Sequence, residues 1–90
     1  EDSLNMEELA AELPMGYVSF RKAFKLVTGE SPNQYLLNLR LERARHLLST
    51  TALNISEIAD QTGFGSVFYF SKLFRKKHGL SPGQFRDAQA

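Results

Sequence analysis

Hydrophobic side chains recur along this chain at the spacing of α-helices, and the same pattern occurs twice. The segment 4–10 returns 49 residues later as the segment 53–59, with apolar and polar positions in the same order. Seven further residues return 50 positions later, and they are Phe20, Lys22, Phe24, Gly29, Ser31, Pro32 and Gln34. The change of one residue in the offset indicates an insertion in a connection, because loops accept insertions and helices do not. The chain therefore contains two copies of one helical unit.

The helical period, without any alternating strand pattern, predicts an all-α fold. Each copy contains a short helix, a second helix, and a third helix that follows a Ser-Pro pair. The predicted bounds are about 6–13, 16–28 and 32–49 in the first copy and about 55–62, 67–78 and 82–87 in the second. The long helix 32–49 is expected to link two subdomains, which span about 1–35 and 50–90.

Capping residues support the predicted helix starts. Asn5 and Asn54 are N-cap candidates, and Glu8 and Glu57 follow three residues later to complete a capping box in each copy. Both Ser-Pro pairs place serine at the N-cap and proline at the first helical position, which is a strong helix start.

Breakers end the predicted helices. Gly29 and Gly79 end the second helix of each copy. Gly63 suits a left-handed residue after the short helix of the second copy, whereas Pro14 at the equivalent position of the first copy cannot adopt that conformation. The two turns are therefore expected to differ in shape.

The second helix of each copy is predicted to have one aromatic face and one basic face. Phe20 and Phe24, like Phe70 and Phe74, are four residues apart and are expected to face the core. The opposite face carries Val18, Arg21, Lys22 and Lys25 in the first copy and Phe68, Ser71, Lys72 and Arg75 in the second. Because matching basic residues on an outer face contribute little to folding, their repetition indicates a binding surface.

Composition narrows the possible chemistry. The 90 residues are 42% hydrophobic, which fits one small globular domain or two half-domains that share an interface. There is no cysteine, which excludes disulfides and is consistent with a reducing cytoplasm. No apolar run approaches the roughly 20 residues of a membrane span. All eleven Lys and Arg lie in 14–90 against five acids, a balance of +6 that permits nucleic-acid binding.

A short helix, a brief turn and a second helix with a basic outer face form the outline of a helix-turn-helix. In that motif the first helix lies across the DNA backbone and the second enters the major groove, where exposed side chains reach base edges. Many helical hairpins have this outline and bind no DNA. The repetition of the basic face in both copies is therefore the stronger indication.

A long series of residues in the second copy resembles a known signature, without insertions or deletions. It consists of Ile55-Ser56-Glu57-Ile58-Ala59, Gly63-Phe64, Tyr69-Phe70-Ser71-Lys72-Leu73-Phe74-Arg75-Lys76, Gly79-Leu80-Ser81-Pro82 and Phe85-Arg86. These residues resemble the DNA-binding domain of AraC/XylS-type transcription regulators, and the resemblance covers nearly the whole chain.

The resemblance implies two helix-turn-helix subdomains, bridged by a long helix in a homeodomain-like tandem. Their second helices would lie on the same molecular face, about 34 Å apart or slightly less, and would enter successive major grooves of double-stranded DNA. It also implies a further helix before the first motif, for which there is no room before Leu4, and a sensor or dimerisation domain elsewhere in the full-length protein. The expected setting is transcription regulation in a bacterial cytoplasm.

The residues expected to contact DNA follow from this interpretation. The base-contacting residues are expected to be Tyr17, Val18, Arg21, Lys22, Val67, Phe68, Ser71 and Lys72. The phosphate-contacting residues are expected to be Lys25, Arg75 and Lys76. No cofactor and no metal are expected.

Two features depart from the family pattern. Val67 and Phe68 occupy positions that are often polar, and they can contact a thymine methyl group or a sugar but cannot hydrogen-bond to a base. Pro14 replaces the usual turn glycine. Arg21, whose counterpart is the short Ser71, makes the first subdomain the better equipped of the two for base contacts.

An enzyme is the first alternative. His46 and His78 are the only histidines, they are distant in sequence, and neither has an acid at the spacing of a catalytic triad or a metal site. Both are therefore expected to be surface residues, with His78 favourably placed as a cation at a helix C-terminus, and no catalysis is expected.

The second alternative is a helical protein-interaction module with only non-specific DNA affinity, for example one that contacts RNA polymerase. Its contacts would be the apolar Tyr17, Val18, Val67 and Phe68. Salt distinguishes the two classes, because DNA binding weakens steeply with ionic strength and an apolar contact does not.

Overall fold

The computed structural model describes residues 16–89, and this part of the chain is helical throughout, with turns between the helices. The helices are α1 (Tyr17–Thr28), α2 (Pro32–Thr50), α3 (Ile55–Gln61), α4 (Val67–His78) and α5 (Pro82–Gln89). They confirm the predicted all-α class. The predicted helix 6–13, its capping box at Asn5 and Glu8, and the turn at Pro14 lie outside the described residues.

The described residues divide into two compact units, 16–39 and 40–89, and the division falls within α2. The first unit contains α1 and the beginning of α2. The second contains the rest of α2 together with α3, α4 and α5. The role of α2 as a linker between two DNA-binding subdomains stays a prediction.

The predicted helix starts in the described part of the chain are confirmed. The side chain of Asn54 accepts a hydrogen bond from the amide of Glu57 at 2.8 Å, and the Glu57 carboxylate accepts one from the amide of Asn54 at 2.9 Å. The serine of each Ser-Pro pair accepts a hydrogen bond from the amide three residues later, at 3.2 Å in both cases. These bonds satisfy amides that have no partner within the helix.

The second unit is organised around two phenylalanines of α4. Phe70 and Phe74 are completely buried, with ring centroids 5.7 Å apart. Phe85 of α5 packs edge-on against Phe74 at 5.6 Å. The surrounding buried side chains come from α2, α3 and the turn before α4, and they are Leu41, Ala44, Leu48, Ile58, Ala59 and Phe64.

The first unit repeats this ring geometry. Phe20 and Phe24 of α1 are 5.7 Å apart, and Tyr35 of α2 packs edge-on against Phe24 at 5.3 Å. The interplanar angle is 80° for Phe24 and Tyr35 and 73° for Phe74 and Phe85. The internal repeat of the sequence is therefore also a repeat of side-chain packing.

Burial differs between the two copies. Phe20 and Phe24 are only half-buried, and α1 contains no fully buried residue. The expectation of a core position is confirmed for Phe70 and Phe74 but only in part for the first pair. In the second unit, α3 and Phe64 contribute to the core around the rings, and the segment equivalent to α3 lies outside the described residues.

Arg86 of α5 forms hydrogen bonds with the end of α2 and with the segment that leads into α3. Its guanidinium donates hydrogen bonds to the carbonyl oxygens of Leu48 and Thr51 at 3.2 Å each, and also to that of Leu53. Carbonyls at a helix C-terminus lack partners within the helix and carry partial negative charge, so a planar cation with several donors suits this position. Arg86 therefore fixes the chain path that leads into α3.

The expectation that His78 is a surface cation is wrong. Its ring packs against Phe74 at 4.5 Å and lies 6.4 Å from Phe85, and its Nε2 atom is buried without a hydrogen-bond partner among the described residues. Burial lowers the pKa of His78 below its usual value, and the nearby Glu42 carboxylate offsets this effect only in part. Burial of the ring therefore opposes the charged form that a helix C-terminus favours. His46, in contrast, is exposed as expected.

We predict that the fold loses stability in mild acid because of His78. The pKa of His78 is higher in the unfolded chain than in the folded protein, so the unfolded chain binds the proton first as the pH falls. The contribution of neutral His78 to the free energy of unfolding is therefore present above about pH 6.5, and it is lost as the pH falls toward the lowered pKa of the folded state. Urea unfolding at pH 7.5 and pH 5.5 measures the loss. His78→Phe retains a ring against Phe74 and should show a smaller loss, whereas an equal loss in both proteins would contradict the assignment.

We also predict that Phe74→Ala destabilises the protein by about 3–5 kcal/mol, since it empties a completely buried aromatic site. Phe24→Ala should destabilise the protein less, because the Phe24 side chain is already half-exposed in the folded protein. Thermal and urea unfolding of both variants measure the difference. A Phe74→Ala protein that melts like the wild type would show that these rings do not form the core.

Candidate nucleic-acid interface

The outer face of α1 gathers four of the residues predicted to contact DNA. Arg21, Lys22 and Lys25 are exposed, and the side chain of Val18 is 66% exposed. Together with Ser31, these four side chains line one open groove on the first unit. The amphipathic pattern of α1 therefore produces a single basic surface opposite Phe20 and Phe24.

Arg21 does not extend freely into solvent. Its guanidinium carbon lies 5.9 Å from the centre of the Tyr17 ring, one helical turn earlier. Attraction between a cation and an aromatic face at this distance restrains the side chain. The Tyr17 ring is half-buried, so Arg21 lies beside an aromatic face within the first two turns of α1.

The outer face of α4 has the same arrangement with different side chains. Phe68, Lys72 and Arg75 are exposed at positions i, i+4 and i+7, which form one stripe along the helix. Lys76 is exposed beside this stripe. Val67 and Ser71, also expected to contact bases, are half-buried. Ser71 is therefore a weaker candidate than its sequence position indicates.

The turn before α4 is fixed by Gly63. Gly63 has φ +83°, and the next amide, that of Phe64, donates to the carbonyl of Ala59 at 2.9 Å while the Gly63 amide donates to Asp60 at 3.2 Å. This pair of bonds is the Schellman arrangement that closes a helix with a left-handed residue. The predicted role of Gly63 is thereby confirmed.

Two residues of this turn orient α4. Phe64 is buried, with its ring 5.1 Å from Phe70 and 6.0 Å from Tyr69. Ser66 is the N-cap of α4, and its hydroxyl accepts a hydrogen bond from the amide of Tyr69 at 3.3 Å. The sequence pattern predicted a turn at Gly63 and no role for Ser66. A serine directly before the predicted helix was the signal that could have identified the cap.

The two helices differ at their C-terminal turns. Where α4 carries Lys76 and Lys77, both exposed, α1 carries Leu26 and Val27, which are 87% and 86% exposed. Lys25 is the only basic residue in the last turn of α1. Lys77 was not among the predicted contacts, and its position seven residues after Phe70 places it on the side of α4 that carries the buried rings, away from the outer stripe. The exposed apolar side chains Leu26 and Val27 of α1 therefore stand where α4 has two lysines.

Other kinds of site receive no support in the described part of the chain. Residues 16–89 contain no cluster of three or more histidine, cysteine or acidic side chains that could hold a metal ion. None of the described helices has the length and hydrophobicity needed to cross a membrane.

Comparison with known proteins agrees with this geometry. A family model described as a helix-turn-helix domain matches residues 9–88. The chain is 35% identical over 83 residues to the MmsAB operon regulatory protein of Pseudomonas aeruginosa, covering 92% of this chain and 27% of that protein. It is also 36% identical over 92 residues to histidine kinase P4 of Formosa agariphila, covering 97% of this chain and 7% of that protein.

A solved structure extends the likeness to three dimensions. The DNA-binding domain of AdpA, a global transcriptional factor crystallised with a target DNA, is 34% identical and superimposes with a TM-score of 0.88. The match covers 96% of this chain and 78% of the AdpA domain. The chain therefore belongs to the AraC-type helix-turn-helix family. It spans about a quarter of the regulator it matches, and much less of the kinase.

Proposed function

We propose that this chain binds double-stranded DNA sequence-specifically in transcription regulation, with α1 and α4 in successive major grooves. The observation that carries the proposal is the same exposed stripe on both helices. An apolar side chain is followed by a lysine four residues later and by a basic residue seven residues later. The members are Val18, Lys22 and Lys25 in α1 and Phe68, Lys72 and Arg75 in α4.

Physical chemistry favours DNA as the partner of such a stripe. Duplex DNA carries about one negative charge per 1.7 Å along its axis, and basic side chains that approach it release condensed counterions. A major groove is wide enough for one helix, whose N-terminal residues meet base edges while the later turns flank the backbone. The apolar side chain lies at the N-terminal end of each stripe and the cations follow, which matches this order.

We assign different tasks to the residues along the stripes. Base edges are contacted by the early residues of each helix, namely Tyr17, Val18, Arg21, Lys22, Val67, Phe68, Ser71 and Lys72. Phosphates are contacted by the later residues, namely Lys25, Arg75 and Lys76. Arg21 has the leading role in base recognition, because its planar fork matches the O6 and N7 acceptors of guanine and its support on Tyr17 reduces the entropy lost on binding.

The wider setting of the chain follows from the same proposal. We infer that it acts within a longer regulator that supplies a sensor or dimerisation domain, since the named relatives are several times longer than the matched part. Its place of action is the cytoplasm, where bacterial DNA lies. RNA polymerase is the proposed second partner, and the chain itself carries no catalytic role.

We predict that Arg21→Ala weakens binding to the preferred duplex by about 1–3 kcal/mol and relaxes the preference at one or two base pairs. Binding to a scrambled duplex should change little, because non-specific affinity comes from phosphate contacts. Titration of both duplexes at two salt concentrations measures this. Equal loss on both duplexes would contradict the role of Arg21 in base recognition.

Arg75→Ala is expected to behave differently. It should weaken the preferred and scrambled duplexes alike and reduce the slope of log affinity against log salt by about one, since one phosphate contact is lost. The same titrations provide the comparison with Arg21→Ala. If Ser71→Ala abolished discrimination while Arg21→Ala did not, the second unit would be the main site of base recognition.

A further inference from the structure

Phe68 is an aromatic side chain that is exposed to solvent. It lies in the first turn of α4 with 84% of its surface exposed, although the same helix buries Phe70 and Phe74 completely. Burial of an aromatic ring is strongly favourable. A ring held outside a well-packed core is therefore available for contact with a partner.

The surroundings of Phe68 restrict the chemistry of that partner. Lys72 and Arg75 follow it on the same stripe of α4, and Lys76 is exposed beside them. A surface of this kind fits a polyanion that presents an apolar group next to its charges. Among the base edges of the major groove, thymine alone carries such a group, its 5-methyl, whereas guanine, adenine and cytosine present hydrogen-bond donors and acceptors there.

The side chains next to Phe68 offer little hydrogen-bonding capacity. Val67 has no donor or acceptor in its side chain, and Ser71 is short and half-buried. Lys72 is a flexible point charge and lacks the planar fork that an arginine presents to guanine. Discrimination by α4 therefore depends on an apolar contact more than on hydrogen bonds.

We infer that Phe68 contacts the 5-methyl group of a thymine in the major groove and that this contact supplies the base preference of α4. The inference rests on the proposed DNA binding and adds the base and the functional group that α4 recognises. Phe68 is thereby a specificity-determining residue, and Arg75 and Lys76 hold the helix on the DNA backbone beside it.

The test removes one methyl group at a time from DNA. A preferred duplex is first selected from a randomised pool with the wild-type protein. Each thymine of that duplex is then replaced by deoxyuridine, which keeps every hydrogen-bonding group and lacks only the 5-methyl. Affinities are measured for the wild type, for Phe68→Ala and for Val27→Ala. Val27 is the matched control, because it is an 86% exposed apolar side chain that lies nine residues after Val18 and therefore on the opposite side of α1 from the basic stripe.

The expected result is a coupling between one residue and one methyl group. One deoxyuridine should weaken wild-type binding about fourfold, the effect of losing one buried methyl-sized group. Phe68→Ala should bind the thymine duplex about tenfold more weakly than the wild type and should bind the thymine and deoxyuridine duplexes equally. Val27→Ala should retain the wild-type affinity and the fourfold effect. Thermal melting of Phe68→Ala should match the wild type, because the ring is exposed.

Several outcomes would overturn the inference while leaving DNA binding intact. If Phe68→Ala lowered affinity but kept the deoxyuridine effect, the ring would pack on a sugar or between base steps instead. If Phe68→Ala bound every duplex with the wild-type affinity, the ring would be assigned to contact with a protein partner instead. Failure of the selection to yield any preferred duplex would instead contradict the proposed sequence-specific function itself.

Discussion

The arrangement of the second unit depends on the burial of one aromatic face of α4. Phe70 and Phe74 are both completely buried, and Phe85 of the following helix packs edge-on against Phe74 at 5.6 Å. A helix has 3.6 residues per turn, so once these two positions face inward the rotation of α4 is determined. Phe68, Lys72 and Arg75 then face outward without any further device. The chemistry of the surface is thus a consequence of how the core is packed.

The two copies of the unit share this core geometry and differ at the periphery. The contact between Phe24 and Tyr35 in the first unit matches that between Phe74 and Phe85 in the second. The outer side chains have diverged, because a solvent-facing position can change with little cost to folding. Arg21 on its tyrosine support distinguishes the first unit, and the apolar ring followed by several cations distinguishes the second. Two copies of one scaffold can therefore contribute different kinds of recognition.

Local patterns in the sequence predicted most of the fold. Caps, breakers and the 3.6-residue period are short-range signals, so the ends of the described helices and the closing role of Gly63 were predicted closely. Features that depend on contacts distant in sequence were missed. Arg86 bonds to carbonyls 33 to 38 residues away, which no local pattern indicates. His78 was misassigned because its burial depends on how Phe85 of α5 packs against Phe74.

The candidate site was predictable in outline, since helical periodicity alone separates the basic faces of α1 and α4 from their aromatic faces. Finer features required the structure, such as the support of Arg21 by Tyr17 and the partial burial of Ser71. The most direct test of the central claim is base-resolution footprinting of major-groove contacts on a selected duplex. If α1 and α4 enter successive major grooves, the footprint shows one contiguous site with two protected major-groove tracts, about 10 base pairs apart on one face of the DNA. A single protected tract, or protection without sequence preference, would contradict it.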